Sequence, residues 1–150
     1  MTPMTMTKEI QVLLVEDSAA DIRLTQEAFR EAAIQNKVHI VKDGISALAF
    51  MRREAPYQNV PRPDLVLLDL NLPGKHGTEV LREIKEDPEL RSIPVVVLTT
   101  SRDEGDVKRS YQLHANCYLV KPRAYDGFLQ TVDSIRDFWL QRAELPRHAC

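Results

Sequence analysis

Four apolar runs in this chain each stop at a residue suited to phosphate chemistry. Ile10-Gln11-Val12-Leu13-Leu14-Val15 stops at Glu16 and Asp17, and Leu65-Val66-Leu67-Leu68 stops at Asp69. Pro94-Val95-Val96-Val97-Leu98 stops at Thr99 and Thr100, and Cys117-Tyr118-Leu119-Val120 at Lys121 and Pro122. Ligands of open parallel sheets bind in the crevice beyond the carboxyl ends of the strands. If these runs are parallel neighbours, three carboxylates, a hydroxyl and an ammonium meet in one pocket. Crowded acids repel one another unless a cation lies among them, and a partly open set of oxygen ligands suits magnesium. Glu16, Asp17 and Asp69 are therefore the expected metal ligands. The pocket reads as a metal-assisted phosphoryl site with Asp69 at its centre.

The elements that must hold these residues alternate strand and helix along the whole chain. A helix is expected from Ser18 to about Glu31, with Leu24, Ala28 and Ala32 at helical spacing. Val38 to Val41 is a second strand, and Ile45 to Arg53 a helix with Ile45, Leu48 and Ala49 inward. Pro56 to Pro63 carries three prolines and must be loop. After Asp69 comes a Leu72-Pro73-Gly74 loop, then a helix from Thr78 to Glu86 stopped by Asp87-Pro88. Ser101 with Glu104 three residues later has the form of a capping box opening a helix to about Leu113. The last helix spans about Asp126 to Arg142. Its stripe of Phe128, Val132, Ile135 and Trp139 is spaced four, three and four residues apart, a one-faced helical pattern.

Five strands, each followed by a helix, imply right-handed crossovers and a parallel sheet covered on both faces. The pattern alone leaves the strand order open. The order 2-1-3-4-5 would put the first and third strands side by side and bring Asp17 next to Asp69.

The length of 150 residues suits one domain, and 43% hydrophobic residues are enough for a two-sided core. A net charge of -2 gives no electrostatic case for nucleic acid. Cys117 in an apolar run and Cys150 at the terminus do not suggest a disulfide and fit a reducing cytoplasm. Residues 1–8 are polar and Thr-rich without an apolar signal region, and no run approaches membrane-spanning length. The four histidines lack metal spacing, and His76 and His114 are expected at loop or helix-end positions.

Read together, Leu-Val-Glu16-Asp17-Ser, Leu-Leu-Asp69-Leu-Asn71-Leu-Pro73, Val-Leu-Thr99-Thr and Tyr118-Leu-Val-Lys121-Pro122 resemble the receiver domain of two-component response regulators. The match runs in order from about Ile10 to Phe138. Leu-Asn-Leu-Pro-Gly-Lys, the run Tyr111-Gln-Leu-His114-Ala-Asn-Cys117-Tyr-Leu and the terminal Phe138-Trp139-Leu140 are similar to the single-domain receivers that partner bacterial phytochromes. The resemblance implies the flavodoxin-like (βα)5 fold, strand order 2-1-3-4-5 included, with a flexible segment at 1–8, the receiver at 9–143 and a tail at 144–150.

The resemblance also implies the chemistry. Asp69 would take a phosphoryl group from a sensor histidine kinase, one of phytochrome type, with Mg2+ as cofactor. Asp17 would bind the metal directly, Glu16 mainly through water and Asn71 through its backbone carbonyl. Lys121 would pair with Asp69 and then with the phosphoryl group, and Thr99 would donate its hydroxyl to it. Tyr118 would turn inward as Thr99 moves and switch the surface of helix 4, strand 5 and helix 5. Such a protein assists its own phosphorylation and dephosphorylation and is otherwise no enzyme. With no output domain after helix 5, an unidentified downstream protein would read the state. Phe138, Trp139 and Leu140, beside the core stripe, suggest a homodimer surface, and Ile22, Leu24, Thr25, Gln26 and the Pro73-Gly74 loop are candidate kinase contacts.

Three other readings compete. A haloacid-type aspartyl hydrolase wants a second Asp two residues after the nucleophile, where this chain has Asn71. Nucleotide binding wants a Gly-rich loop that is missing after the first strand. A phosphate-independent pseudo-receiver, acting as a protein-binding module, would have lost site residues that are all present here.

Overall fold

The structure, a computed structural model, describes residues 9–146. The expectations for residues 1–8, for Cys150 and for most of the tail lie outside the described residues. Five strands and five α-helices alternate: β1 Ile10–Val15, α1 Ala19–Arg30, β2 Asn36–Val41, α2 Gly44–Arg52, β3 Leu65–Leu68, α3 Gly77–Glu86, β4 Val95–Thr99, α4 Glu104–Gln112, β5 Cys117–Val120 and α5 Tyr125–Arg136. A π-helical segment, Asp137–Arg142, continues α5. The strands form one parallel sheet in the order β2-β1-β3-β4-β5, as the resemblance implied.

The registers explain why the central strands are near-continuous apolar runs. Leu13 pairs with Val66 and Val66 with Val95, while Val15 pairs with Leu68 and Leu68 with Val97. Side chains alternate across a sheet, so these six share one face, where they pack with α2 and α3 through Leu48, Phe50, Val80, Leu81 and Ile84. The offset set, Val12, Leu14, Leu65, Leu67, Val96 and Leu98, packs on the other face with Ile22, Ala28 and Phe29 of α1 and Phe128, Val132 and Ile135 of α5. A strand buried on both faces has no polar face to show. The edge strands β2 and β5 are only half-buried along most of their length.

Helix starts follow ordinary capping chemistry. Ser18 Oγ accepts from Asp21 N, Asp43 Oδ1 from Ser46 N, and His76 Nδ1 from Thr78 N. His114 lies just past α4 in the left-handed region, at φ 74°. His76 and His114 thus sit at the helix-end positions expected of them.

Three local expectations are corrected. α4 is capped by Asp103, which accepts from Gly105 N and Asp106 N, and not by a Ser101–Glu104 box. Ser101 Oγ instead donates to Asp106 at 2.6 Å. Ile45 is 66% exposed; it stands in the first turn of α2 immediately after Gly44, and the inward positions are Ala47, Leu48, Phe50 and Met51.

The third correction concerns the C-terminal helix. A regular α-helix would bring Trp139, four residues after Ile135, back to the core. In the π-helical segment bonds span five residues, as in Ala143 N to Phe138 O. The residue returned to the core is therefore Leu140, 4% exposed, while Trp139 is only partly covered and Phe138 is 54% exposed. Leu140 belongs to the protein's own core, which removes it from the proposed interface trio. Leu140→Ala should cost about 2–4 kcal/mol of stability, and Phe138→Ala no more than about 0.5 kcal/mol. Urea denaturation of the two variants compares these values, and equal losses would contradict the shifted register.

Candidate functional site

The carboxyl ends of β1, β3, β4 and β5 converge as the strand order requires. Glu16 follows β1, with its N–H donating to Val41 O of β2 at 3.0 Å. Asp69 follows β3, with its N–H donating to Val15 O at 3.1 Å. Thr99 ends β4, and its carbonyl accepts from Lys121 N at 2.7 Å. Backbone pairing thus places all four side chains at one edge of the sheet. Glu16, Asp69, Thr99 and Lys121 are buried, while Asp17 is exposed.

Lys121 Nζ reaches three carboxylates: Glu16 Oε1 at 2.5 Å, Asp21 Oδ2 at 2.9 Å and Asp69 Oδ2 at 3.1 Å. Glu16 Oε2 also accepts from Ser18 N at 3.0 Å, and Asp69 Oδ1 from Asn71 N at 3.1 Å. Burial alone would push the Lys121 ammonium down, but hydrogen bonds to Glu16 and Asp21 and the charges of Glu16 and Asp69 outweigh it and hold it above the ordinary lysine value. Burial, helped by the Asp69 charge, pushes the Glu16 carboxyl up against the opposing pull of Lys121.

Carboxylate oxygens of Glu16, Asp17 and Asp69 all lie within 4.8 Å of one another. Hard oxygen donors that close, one of them open to solvent, fit a divalent cation that keeps several waters. The donor set therefore suits such an ion on chemical grounds.

The β3–α3 loop is tied down around Asp69. A Cβ at Gly77 would lie 2.5 Å from both Asp69 O and Leu70 Cα, so only glycine lets the start of α3 approach this closely. Lys75 pairs with Glu83, which also holds Arg52 of α2 at 3.2 Å. Asn71 Nδ2 donates to Thr99 Oγ1 over a long 3.5 Å, so its side chain faces the pocket as well. Beyond Thr99, the Tyr118 hydroxyl donates to Ser101 O at 3.0 Å, and Tyr118 N donates to the Tyr111 hydroxyl of α4 at 3.0 Å.

The structure therefore brings together Glu16, Asp17, Asp69, Asn71, Thr99 and Lys121, with Tyr118 adjoining. Phe138 and Trp139 lie on the segment after α5, stacked edge to face. Two candidate kinase contacts are corrected: Ile22 and Thr25 are buried against the sheet. Leu24 and Gln26 are half-exposed, and Pro73 and Gly74 are exposed. Sequence reasoning missed Asp21. Its one signal, an acid three residues after Ser18, is also that of an ordinary helix cap.

The chain matches the response regulator receiver domain over residues 12–133. It belongs to that family. It is 53% identical to the response regulator Rcp1 of Synechocystis over 135 residues, covering 90% of this chain and 92% of Rcp1. The crystal structure of the Mn(2+)-bound form of Rcp1 superposes with a TM-score of 0.91 at 51% identity, covering 92% of this chain and 99% of that one. The phosphorylated cyanobacterial phytochrome response regulator RcpA gives the same TM-score and identity, covering 93% of this chain and 100% of that one. The resemblance to phytochrome-linked receivers is thus borne out, and the receiver's acid cluster is of the kind that holds a divalent metal in this family.

A lysine bound more tightly to its proton when folded contributes its full stability below the unfolded value of about 10.4. It loses that contribution only as pH climbs past the higher folded value. Lys121 therefore gives the receiver no pH dependence near neutrality. Lys121→Ala, by contrast, leaves Glu16 and Asp69 buried without their cation and should cost roughly 3 kcal/mol. Millimolar divalent cation should return part of this loss. Denaturation curves in chelator and in magnesium measure both effects, and a variant as stable as the parent in chelator would contradict the ion-pair account.

Proposed function

We propose that this receiver accepts a phosphoryl group on Asp69 from the phosphohistidine of a sensor histidine kinase. The observation that carries the reading is the Lys121 ammonium 3.1 Å from Asp69 in a pocket whose three clustered carboxylates suit a divalent metal. A carboxylate of Asp69 attacks phosphorus in line; the O–P bond forms as the P–N bond to histidine breaks, and the electron pair leaves with the imidazole nitrogen. Little else is asked of the protein beyond positioning and charge neutralisation.

Glu16, Asp17, Asp69 and the Asn71 carbonyl would hold Mg2+, which when bound supplies positive charge to the phosphoryl oxygens. Both Glu16 oxygens already accept hydrogen bonds, from Lys121 and Ser18, which favours contact through water for Glu16 and direct contact for exposed Asp17. Lys121, paired with Asp69 before the reaction, bonds a phosphoryl oxygen after it, and Thr99 turns its hydroxyl to another. Movement of Thr99 pulls on the loop that holds Ser101. Tyr118 is bonded to that loop and, through its N–H, to α4, so the change reaches the surface of α4, β5 and α5.

The kinase is of phytochrome type. Support comes from RcpA, which is a phytochrome response regulator, and from half-exposed Leu24 and Gln26 on α1, the helix that also carries Asp21. Purified phosphorylated kinases, phytochrome and other, are offered to the protein for short times with magnesium. The phytochrome should transfer fastest, chelator should stop transfer, and Asp69→Asn should abolish acid-labile label. Stoichiometric label on that variant would sink the acceptor assignment, and no label on the parent would leave only the phosphate-independent binding module. Faster transfer from another kinase would overturn the phytochrome pairing alone.

Phe138 and Trp139 form the surface of a homodimer. Support comes from a large aromatic ring 54% exposed beside a second, partly covered one. Sedimentation equilibrium should show a dimer that Phe138→Ser weakens. A parent that is monomeric at high concentration, with and without phosphate, would rule the dimer out.

A further inference from the structure

Lys121 has three carboxylate partners, and the acceptor reading uses two of them. The third, Asp21, lies outside the strand-end pattern, on the first turn of α1. Its Oδ2 is 2.9 Å from the ammonium, against 3.1 Å for Asp69. An ammonium has three hydrogens to donate, and three carboxylates engage it here. Asp21 is placed firmly. Its N–H donates to Ser18 Oγ at 3.3 Å, and its carbonyl accepts at 2.8 Å from Thr25 Oγ1, which belongs to a buried residue. A negative charge is also favourable at a helix N-terminus.

We propose that Asp21 is a positioning residue that holds back the Lys121 ammonium and competes with the phosphoryl group for it. The proposal rests on the acceptor reading above. To bond an arriving phosphoryl oxygen, Lys121 must release a partner. Glu16 is buried, with a side chain only 5% exposed, and is tied to Ser18 as well. Asp69 is the reacting group. The Asp21 side chain is 27% exposed, so water can solvate it once released, and it is the partner given up. It recovers Lys121 when the phosphoryl group leaves. Asp21 also adds a fourth carboxylate to a pocket that an anionic donor must enter. Both effects favour the unphosphorylated state.

The test compares the parent with Asp21→Asn and Asp21→Glu, using phosphoramidate and magnesium, and follows both the labelling rate and the lifetime of the label. Asp21→Asn should label about threefold faster and hold its label about threefold longer, the scale of a half-exposed ion pair. Asp21→Glu should stay near the parent. A role confined to capping α1 would lower the melting temperature and slow labelling, leaving the lifetime alone. If either the rate or the lifetime of Asp21→Asn fails to rise, the proposal is overturned. A parent that takes no label while a control receiver does would instead sink the acceptor reading. In that event NMR of the Lys121 ammonium decides on Asp21, since its protons must exchange with solvent faster in Asp21→Asn, and unchanged exchange overturns the proposal.

Discussion

The Lys121 ammonium lies between Glu16, Asp21 and Asp69, and each of those contacts closes a long stretch of chain. Glu16 is 105 positions away in sequence, Asp21 100 and Asp69 52. The contacts form only when β5 lies beside β4, β4 beside β3, and β3 beside β1. The cluster therefore depends on the whole sheet order, and its burial depends on the helices that cover both faces. An uncompensated charge at such a depth costs several kcal/mol, so the acids and the lysine constrain one another. Glu16 and Asp69 are tolerable where they are because Lys121 reaches them. The charge is still unbalanced, with four carboxylates against one ammonium once exposed Asp17 is counted, and in the reading proposed above a divalent cation offsets most of that surplus.

Around this cluster the structure is rigid on one side and loosely held on the other. The side of β1 and β3 is stiffened by the Ser18 cap, by the close approach at Gly77 and by the bridge from Lys75 through Glu83 to Arg52. Those features fix Asp69 and its neighbouring acids, as the in-line chemistry proposed above would require. On the other side, α4 reads EGDVKRSYQ and buries only Ser110 among its residues. The Ser110 hydroxyl is buried with no hydrogen-bond partner, the single such side-chain atom among the described residues. A helix with so little apolar anchorage costs little to displace.

Much of this was readable before any coordinates. Strands buried on both faces must be near-continuous apolar runs, so β1, β3 and β4 announce themselves, and the polar residue that stops each run marks the sheet edge where Glu16, Asp69 and Thr99 stand. What was not readable depends on three-dimensional context. Asp21 carries the same signal as a helix cap, and only the reach of Lys121 across the sheet reveals its second contact. The shift from Trp139 to Leu140 arises because a π-helical turn changes the period, which a wheel drawn at the α-helical period cannot register. Ser101 and Asp103 are both competent caps, and the choice between them rests on where the chain leaves β4. Ile22 and Thr25 looked available for docking, but the sheet claims that face of α1.

The same arrangement offers a route by which the chemistry proposed above would be felt at a distance. Thr99 is the last residue of β4, and Ser101, two residues on, accepts the Tyr118 hydroxyl while bonding Asp106 in the first turn of α4. Tyr118 in turn donates its backbone N–H to Tyr111 near the end of α4. The helix is thus tethered at both ends to a path that starts at the acid pocket, yet it is weakly packed along its length. In the reading proposed above, a new hydrogen bond at Thr99 need not deform the core. It has only to change the balance among a few polar contacts holding one lightly anchored helix, and a shift of that size is within the reach of a single charged phosphoryl group.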